Sequence, residues 1–342
     1  MTPPVPFRES PPGATPIRDL NLTIAGSPLE PILEEFGREL EKAGIKRVRP
    51  RFYLSTEWGV PEGTVAIAIP FYLARPDLTA LHAERAGYIE GSGRADVLRY
   101  LRHEMGHVVN YAYELFARPD WVEAFGPITA PYREDYRPEP FSRRFVRHLP
   151  GWYAQKHPDE DWAETFAVWM TPGLDWRAEY ADWPAALAKL HLCDRLMAEV
   201  ANLDPMVTSD ELDEDVSDLS HSLDEHYRDH ESAEVPIPSG LDGMLRSIFE
   251  DLGHPECAPP DVPRRSASEL IRRLEPTLAM AVFRWTGCFP ERVRSLLRHL
   301  ARRAEELAQV YPADREAEAV ADLTALLTAL AMNHVARGMF LA

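Results

Sequence analysis

RHEMGHVVNYAYEL, residues 102–115, is the segment on which the fold and the chemistry of this chain depend. It contains the pattern H-E-x-x-H, formed by His103, Glu104 and His107. Two histidines four positions apart on an α-helix project from the same face one turn apart, which is the spacing of two ligands on one tetrahedral zinc ion. The glutamate between them is then placed to take a proton from a metal-activated water.

The residues around this motif predict the helix that the motif requires. Apolar side chains recur at spacings of three and four residues between Val97 and Phe116, as in an amphipathic helix. At about 100° per residue, His103 and His107 fall opposite this apolar stripe, on the side of Asn110. This placement favours a polar site, and a pair of hydrogen-bonded core histidines is the alternative.

The overall composition predicts an acidic cytoplasmic protein. The chain has 342 residues, 45% of them hydrophobic, which is enough for a full core and more than one domain. Its three cysteines are odd in number and far apart, which favours a reducing compartment. The proline-rich start does not have the pattern of a secretory signal, and the longest apolar run, 323–332, is too short to span a bilayer. The net charge of -18 gives no reason to expect a nucleic acid as partner.

The sequence divides into four segments of different character. Residues 1–20 are proline-rich and are predicted to be a disordered lead-in. Residues 21–203 contain the H-E-x-x-H motif and are predicted to form a catalytic domain. Residues 204–235 carry twelve acidic side chains against one arginine, and we interpret them as an acidic linker or docking segment. Residues 236–342 have helical periodicity throughout and predict a helical C-terminal domain.

Two strand-like runs in the catalytic segment predict a small sheet. They are 47–55, with alternating apolar residues, and 64–74, which is rich in residues that favour strands. Pro70 interrupts the second run and favours a position at the edge of the sheet. Such an edge could bind an extended peptide by strand addition, and an ordinary edge strand is the alternative.

A second polar segment, HPDEDWAETFAVWMTPG at 157–173, predicts a helix that carries the third metal ligand. Pro158 and three acidic residues form the first turn, and a Pro-Gly pair ends the helix. Glu164 lies among tryptophan and phenylalanine residues, where a metal ion would supply the partner that a buried carboxylate needs. Asp161, one turn earlier, could accept a hydrogen bond from a ligand imidazole. The alternative is that Glu164 faces solvent on an amphipathic helix.

The two motifs together resemble the gluzincin metallopeptidases, in which one helix supplies two histidines and a later helix supplies a glutamate. More narrowly, HPDEDWAETFAVWM resembles the signature of a bacterial family of zinc-binding metallopeptidases, and the resemblance covers roughly residues 95–200. It implies an α+β fold in which a zincin-like catalytic domain with a small sheet precedes the mainly α-helical C-terminal domain. It also implies Zn2+ on His103, His107 and Glu164, and it makes Glu104 the catalytic residue.

One departure from the gluzincin pattern affects the residues that support the metal. Many gluzincins carry an acidic residue four positions after the ligand glutamate, and here that position is Val168. We therefore expect Asp161 to take the supporting role.

The expected function is zinc-dependent hydrolysis of amide bonds in a peptide or protein substrate, with Glu104 as general base. Such a reaction also needs a hydrogen-bond donor for the tetrahedral oxyanion. Tyr153 is the candidate because it precedes the second motif. Other candidates lie in the same proline-rich region, namely Tyr132, Tyr136 and His148.

Two other functions fit the same sequence. A zinc-containing binding or regulatory protein without turnover would keep the metal and act through the C-terminal helical domain. An interaction protein with an accidental H-E-x-x-H would bind no zinc, and the same C-terminal domain would engage a protein partner. Neither reading gives a reason to expect a membrane or a nucleic acid as partner.

Overall fold

The computed structural model describes residues 12–86, 88–132, 136, 138–139, 141–228, 240–252 and 262–340. It shows helices with two small sheets around two main hydrophobic cores, so the expected α+β class is confirmed. The first core contains residues from Ile17 to Tyr227. The second contains residues from Leu241 to Phe340 and belongs to the C-terminal domain.

The first core and the small apolar cluster beside it are built mainly from α-helices and two β-strands. They are α1 (Glu30–Lys42), β1 (Arg51–Ser55), β2 (Ala66–Pro70), α2 (Pro76–Arg85), α3 (Arg94–Ala112), α4 (Pro119–Phe125), α5 (Pro158–Met170), α6 (Trp176–Glu179), α7 (Pro184–Val200) and α8 (Leu223–Arg228).

The two predicted strands form a parallel pair, in which Tyr53 of β1 lies opposite Ala68 of β2. On the other side of β2, Ala68 N donates a hydrogen bond of 2.8 Å to Gly59 O. The edge of β2 that was expected to receive a peptide is therefore already paired at this position.

Helices α3 and α5 pack closely because a glycine of the first motif faces the second motif. A Cβ atom on Gly106 would lie only 2.7 Å from Ala163 Cα and 3.1 Å from Ala163 O. Trp162 Nε1 donates a hydrogen bond of 2.8 Å to Gly106 O across the same contact. The absence of a side chain at Gly106 lets the two backbones approach, and this brings the first turns of α5 to the histidines of α3.

Replacing Gly106 by Ala is expected to lower the free energy of unfolding by about 1–3 kcal/mol, because the new methyl group would force α3 and α5 apart. Gly37 provides the matched control, since it lies inside α1 and an added Cβ would have nothing within 4 Å. Gly37→Ala should raise the free energy of unfolding by about 0.5–1 kcal/mol through helix propensity. Denaturant titration measures both values, and equal effects of the two substitutions would contradict the close helix contact.

The acidic segment packs on the first core over its described part, 204–228. Met206 N donates a hydrogen bond to Ala112 O, and Val216 N donates one to Leu54 O, both of 2.8 Å. Leu219, Leu223 and Tyr227 are buried in the same core. Over these residues the segment docks and does not act as a free linker, while 229–235 lie outside the described residues.

The lead-in that was expected to be disordered is ordered from residue 12 onward. Ile17 is fully buried, its N–H donates to His221 O, and Arg18 N donates to Leu219 O, both at 3.0 Å. The prediction of disorder is therefore wrong for 12–20, because the partners of this segment are about two hundred residues away in sequence. Residues 1–11 lie outside the described part of the chain.

The C-terminal domain combines helices with a small antiparallel sheet. Its elements are α9 (Asp242–Ile248), β3 (Glu250–Asp251), β4 (Arg264–Ser266), α10 (Ala267–Thr286), α11 (Pro290–Glu306), β5 (Gln309–Pro312) and α12 (Glu316–Arg337), with strand order β3-β5-β4. The expectation of helix throughout missed this sheet, whose strands have only two to four residues.

One helical stretch of the described residues, Ala313–Arg337, is long and apolar enough to cross a membrane by length and composition alone. Leu323, Leu327 and Leu330 of this stretch are buried in the C-terminal core. Core helices of globular domains have the same composition, so this stretch is weak evidence for a membrane span.

Candidate metal centre

Two histidines of α3 and one glutamate of α5 meet at a single buried point. His103 Nε2 lies 3.0 Å from Glu160 Oε2 and 3.2 Å from His107 Nε2. His107 Nε2 lies 3.3 Å from the same oxygen of Glu160. Ligands placed about 2.0–2.1 Å from a tetrahedral zinc ion lie about 3.3 Å from one another. The three atoms therefore have nearly the separations of three corners of such a tetrahedron, and the cluster could hold a metal ion.

The charges of the cluster also fit a cation. Four carboxylates around the two histidines are each less than one tenth exposed: Glu104, Asp159, Glu160 and Glu164. Carboxylates buried together without positive partners are costly. Burial lowers the pKa of His103, but hydrogen bonds with Glu160 and Glu164 outweigh it and raise that pKa to about 9. The carboxylates around the two histidines thus favour positive charge at this point, which a bound cation would supply.

Glu164 contacts the other ring nitrogen of His103, Nδ1, on the side of the imidazole that faces away from His107. Its Oε1 is 2.9 Å from His103 Nδ1. Its Oε2 accepts hydrogen bonds from the backbone N–H groups of His148, at 3.0 Å, and Leu149, at 2.9 Å. The carboxylate that joins the two histidines is therefore Glu160, one turn before the expected ligand Glu164, and these three residues could hold a metal ion. Glu164 instead holds the imidazole of His103 so that Nε2 faces the cluster.

Asp161 faces a different neighbour from the one expected. Its Oδ2 lies 2.5 Å from Lys189 Nζ on α7. Adjacent helix positions differ by about 100°, which turns Asp161 away from the face that Glu160 and Glu164 share. Among the described residues, the carboxylates beside the Nδ1 atoms are Glu164 and Asp159. The predicted contact of Asp161 with an imidazole is thus wrong.

Asp159 takes the place at His107 that had been assigned to Asp161. Its Oδ2 lies 2.9 Å from His107 Nδ1. Asn110 Nδ2 donates a hydrogen bond of 2.6 Å to Asp159 Oδ1, and the Tyr111 hydroxyl donates one of 2.7 Å to Oδ2. Sequence reasoning missed Asp159 and Glu160, although both belong to the acidic first turn of the helix that it had singled out. The missing information was which turn of α5 lies against α3.

Tyr153, the expected oxyanion donor, borders the cluster. Its ring centroid lies 5.5 Å from that of His103, and it lines the same cavity as Glu104. Burial raises the pKa of Tyr153 well above its usual value, so the hydroxyl keeps its proton and can donate a hydrogen bond. Tyr132 also borders the cavity, but its hydroxyl donates a hydrogen bond of 2.7 Å to Glu160 Oε1.

The other two candidates contact the backbone. The Tyr136 hydroxyl donates a hydrogen bond of 2.7 Å to Gly151 O, and His148 Nε2 lies 2.9 Å from Arg99 O. Both groups hold the loop that precedes α5. Of the four candidates, Tyr153 is thus the one whose ring lies against His103.

Two cavities border the cluster or residues beside it. The larger has a volume of about 520 Å³ and is bordered by His103, His107 and Glu160. The smaller has a volume of about 220 Å³ and reaches the C-terminal domain. His103, Glu104 and Tyr153 border both cavities. The two cavities thus share part of their lining at the cluster.

The geometry defines a class of site, namely a buried candidate metal centre with two imidazoles and one carboxylate in an α+β protein. No protein-family model, curated protein or solved structure matches the chain. The function proposed below therefore rests on the site and on the motifs that build it.

Proposed function

We propose that this protein is a zinc-dependent hydrolase of peptide or other amide bonds, with a centre of the gluzincin type. The observation that carries the proposal is the set of distances, 3.0 to 3.3 Å, among His103 Nε2, His107 Nε2 and Glu160 Oε2. Imidazole and carboxylate groups suit zinc, and three protein ligands leave a fourth position for the reaction, as in catalytic zinc sites.

The position of Glu160 supports the resemblance to gluzincins better than the expected ligand Glu164 did. With Glu160 as third ligand, the residue four positions later is Glu164, which is acidic as in many gluzincins. Val168, which had departed from the pattern, packs instead with Trp176 in a separate apolar cluster. With Glu160 as the ligand, the sequence therefore agrees with the gluzincin pattern at this position.

The proposed hydrolysis assigns separate roles to the metal ion, Glu104 and Tyr153. Zinc, when bound, polarises the amide carbonyl and lowers the pKa of water towards about 7. Glu104 takes the proton from the attacking water and passes it to the leaving amine. Burial raises the pKa of Glu104 above its usual value. Tyr153 donates a hydrogen bond to the oxyanion that forms on the carbonyl.

Removal of the metal with a chelator is expected to lower amide hydrolysis by about 10³-fold or more, because a Lewis acid contributes several kcal/mol to this chemistry. One equivalent of zinc should restore the rate. The measurement is release of amines from a mixture of peptides, with the zinc content determined on the same sample. Zinc-loaded protein that hydrolyses no peptide would support the alternative of a binding or regulatory protein without turnover. Protein that binds no zinc would refute the metal centre.

The substrate and compartment follow from the same proposal. Cavities on both sides of the cluster suit a peptide or protein segment as substrate. Cys193 is a free and buried thiol, which fits the reducing cytoplasm that we propose as compartment. Cys257 lies outside the described residues.

A further inference from the structure

The smaller cavity beside the candidate metal centre has one wall from the C-terminal domain. Phe283, near the end of α10, and Phe289, just before α11, border this cavity. On its other side it is bordered by His103 and Glu104. The C-terminal domain therefore reaches the site of the proposed reaction.

The lining of this cavity is rich in aromatic side chains. Six of them border it: Trp58, Tyr100, Tyr136, Tyr153, Phe283 and Phe289. The rings of Trp58 and Tyr100 stack at 5.3 Å, and those of Phe283 and Phe289 at 5.9 Å. Aromatic rings offer large apolar areas and attract further rings at centroid distances of about 4.5–7 Å. We call this cavity the aromatic chamber.

Phe289 is an unusual residue in this wall because 41% of it is exposed, whereas Phe283 is only 8% exposed. Exposed aromatic surface has not been used to stabilise the core and is available to a ligand. The charged side chains at the border are few beside the six aromatic rings and include both signs, with Glu57, Glu90, Glu104 and Lys156. The chamber therefore favours an uncharged ring or a large aliphatic group.

A chain of contacts fixes the aromatic wall relative to the metal centre. Gly287, between the two phenylalanines, has φ of +71°, and a Cβ there would lie 2.4 Å from Gly151 Cα. Two residues before Gly151, Leu149 N donates a hydrogen bond of 2.9 Å to Glu164 Oε2. Glu164 in turn lies 2.9 Å from the imidazole of His103 through its Oε1. These contacts thus fix the position of Phe283 and Phe289 relative to His103, a proposed zinc ligand.

We propose that the aromatic chamber is a specificity subsite, which receives an aromatic or large aliphatic side chain of the substrate next to the bond that is cleaved. This inference rests on the proposed function, because the subsite is defined relative to a bond held at His103 and Glu104. It also gives the C-terminal domain a task in substrate recognition, with Phe289 as the residue that determines specificity.

Amino-acid hydroxamates test the subsite without any need for turnover, because the hydroxamate group binds zinc and directs the side chain into the neighbouring cavity. We expect L-phenylalanine hydroxamate to bind zinc-loaded wild type about tenfold or more tightly than L-alanine hydroxamate, as for other apolar pockets. Phe289→Ala should bring this ratio close to one and leave the affinity for acetohydroxamate unchanged. Isothermal titration calorimetry measures all three affinities.

Trp285 provides a matched control for the loss of an aromatic ring. It is 70% exposed, lies near the end of α10 and does not border the chamber. Trp285→Ala should therefore keep the wild-type ratio of affinities. Phe289→Leu retains part of the apolar wall and should give an intermediate ratio, which provides a second variant if Phe289→Ala does not fold.

The outcomes separate the subsite from the proposed function. Equal binding of the two hydroxamates by wild type, tighter binding of lysine hydroxamate, or an unchanged ratio in Phe289→Ala would overturn the subsite and leave the metal centre standing. Zinc-replete protein that binds no hydroxamate would overturn the subsite and the proposed hydrolysis, because the fourth position would be closed, and would leave only the zinc site. Protein that binds neither zinc nor hydroxamate would overturn the proposed function together with the subsite.

Discussion

Replacing Glu104 by Gln is expected to lower kcat for amide hydrolysis by about 10²–10⁴-fold, the usual contribution of a general base. Glu104 lies between the two histidines on α3, is 5% exposed and borders both cavities. It does not belong to the cluster formed by His103, His107 and Glu160. Glutamine has nearly the same shape but cannot take the proton, so the variant should lose turnover and keep one equivalent of zinc.

The measurement combines steady-state kinetics on a cleaved peptide with metal analysis of the same sample. Glu114→Gln is a suitable control, because Glu114 is exposed and borders only the larger cavity. Its kcat should stay within about threefold of wild type, as for a surface residue away from the reacting atoms. A Glu104→Gln variant that retains wild-type kcat would contradict the assignment of the general base.

Replacing Glu160 by Gln is expected to weaken zinc binding by about 10³-fold, because the site loses one of its three protein ligands. The free energy of zinc binding at a site with a full ligand set exceeds about 10 kcal/mol, so the loss of one ligand is a large effect. Replacing Glu164 by Gln should weaken zinc binding by only about 10–100-fold, the usual effect of a residue that orients a ligand. The two residues lie one turn apart on α5, and the substitutions are chemically identical. Their comparison therefore isolates the position of the carboxylate.

Competition with a chelator of known affinity measures both changes in zinc binding. The absorption spectrum of the Co2+-substituted protein adds a second readout, because it responds to the identity of the ligands. Glu160→Gln should change this spectrum, and Glu164→Gln should leave it close to that of wild type. The reverse order in affinity and spectrum would restore Glu164 as the ligand.

The two histidines of the candidate site could be predicted from sequence, and the carboxylate that joins them could not. The four-residue spacing of His103 and His107 fixes their common face through helix geometry alone. Glu160 and Glu164 also share a face of α5, so the periodicity does not say which of them reaches the histidines. That choice depends on where the helices cross, which is set by Gly106 against Ala163. A contact between two helices that are distant in sequence leaves no pattern in either of them.

The same limit explains what was missed in the fold. Ile17 has the proline-rich neighbourhood of a disordered segment, yet its backbone pairs with His221 in the structure. The strands of the C-terminal sheet are so short that helical periodicity around them hides their signal. By contrast, α3 and α5 were predicted well, because long amphipathic patterns with proline, glycine and acidic first turns mark the ends of helices.

Anomalous diffraction at the zinc edge, from crystals of the zinc-loaded protein, tests the central claim most directly. We predict one peak at about 2.0–2.2 Å from His103 Nε2, His107 Nε2 and a carboxylate oxygen of Glu160. Glu164 should remain at hydrogen-bond distance from His103 Nδ1. A peak coordinated by Glu164, or crystals without a zinc peak at the two histidines, would contradict the account.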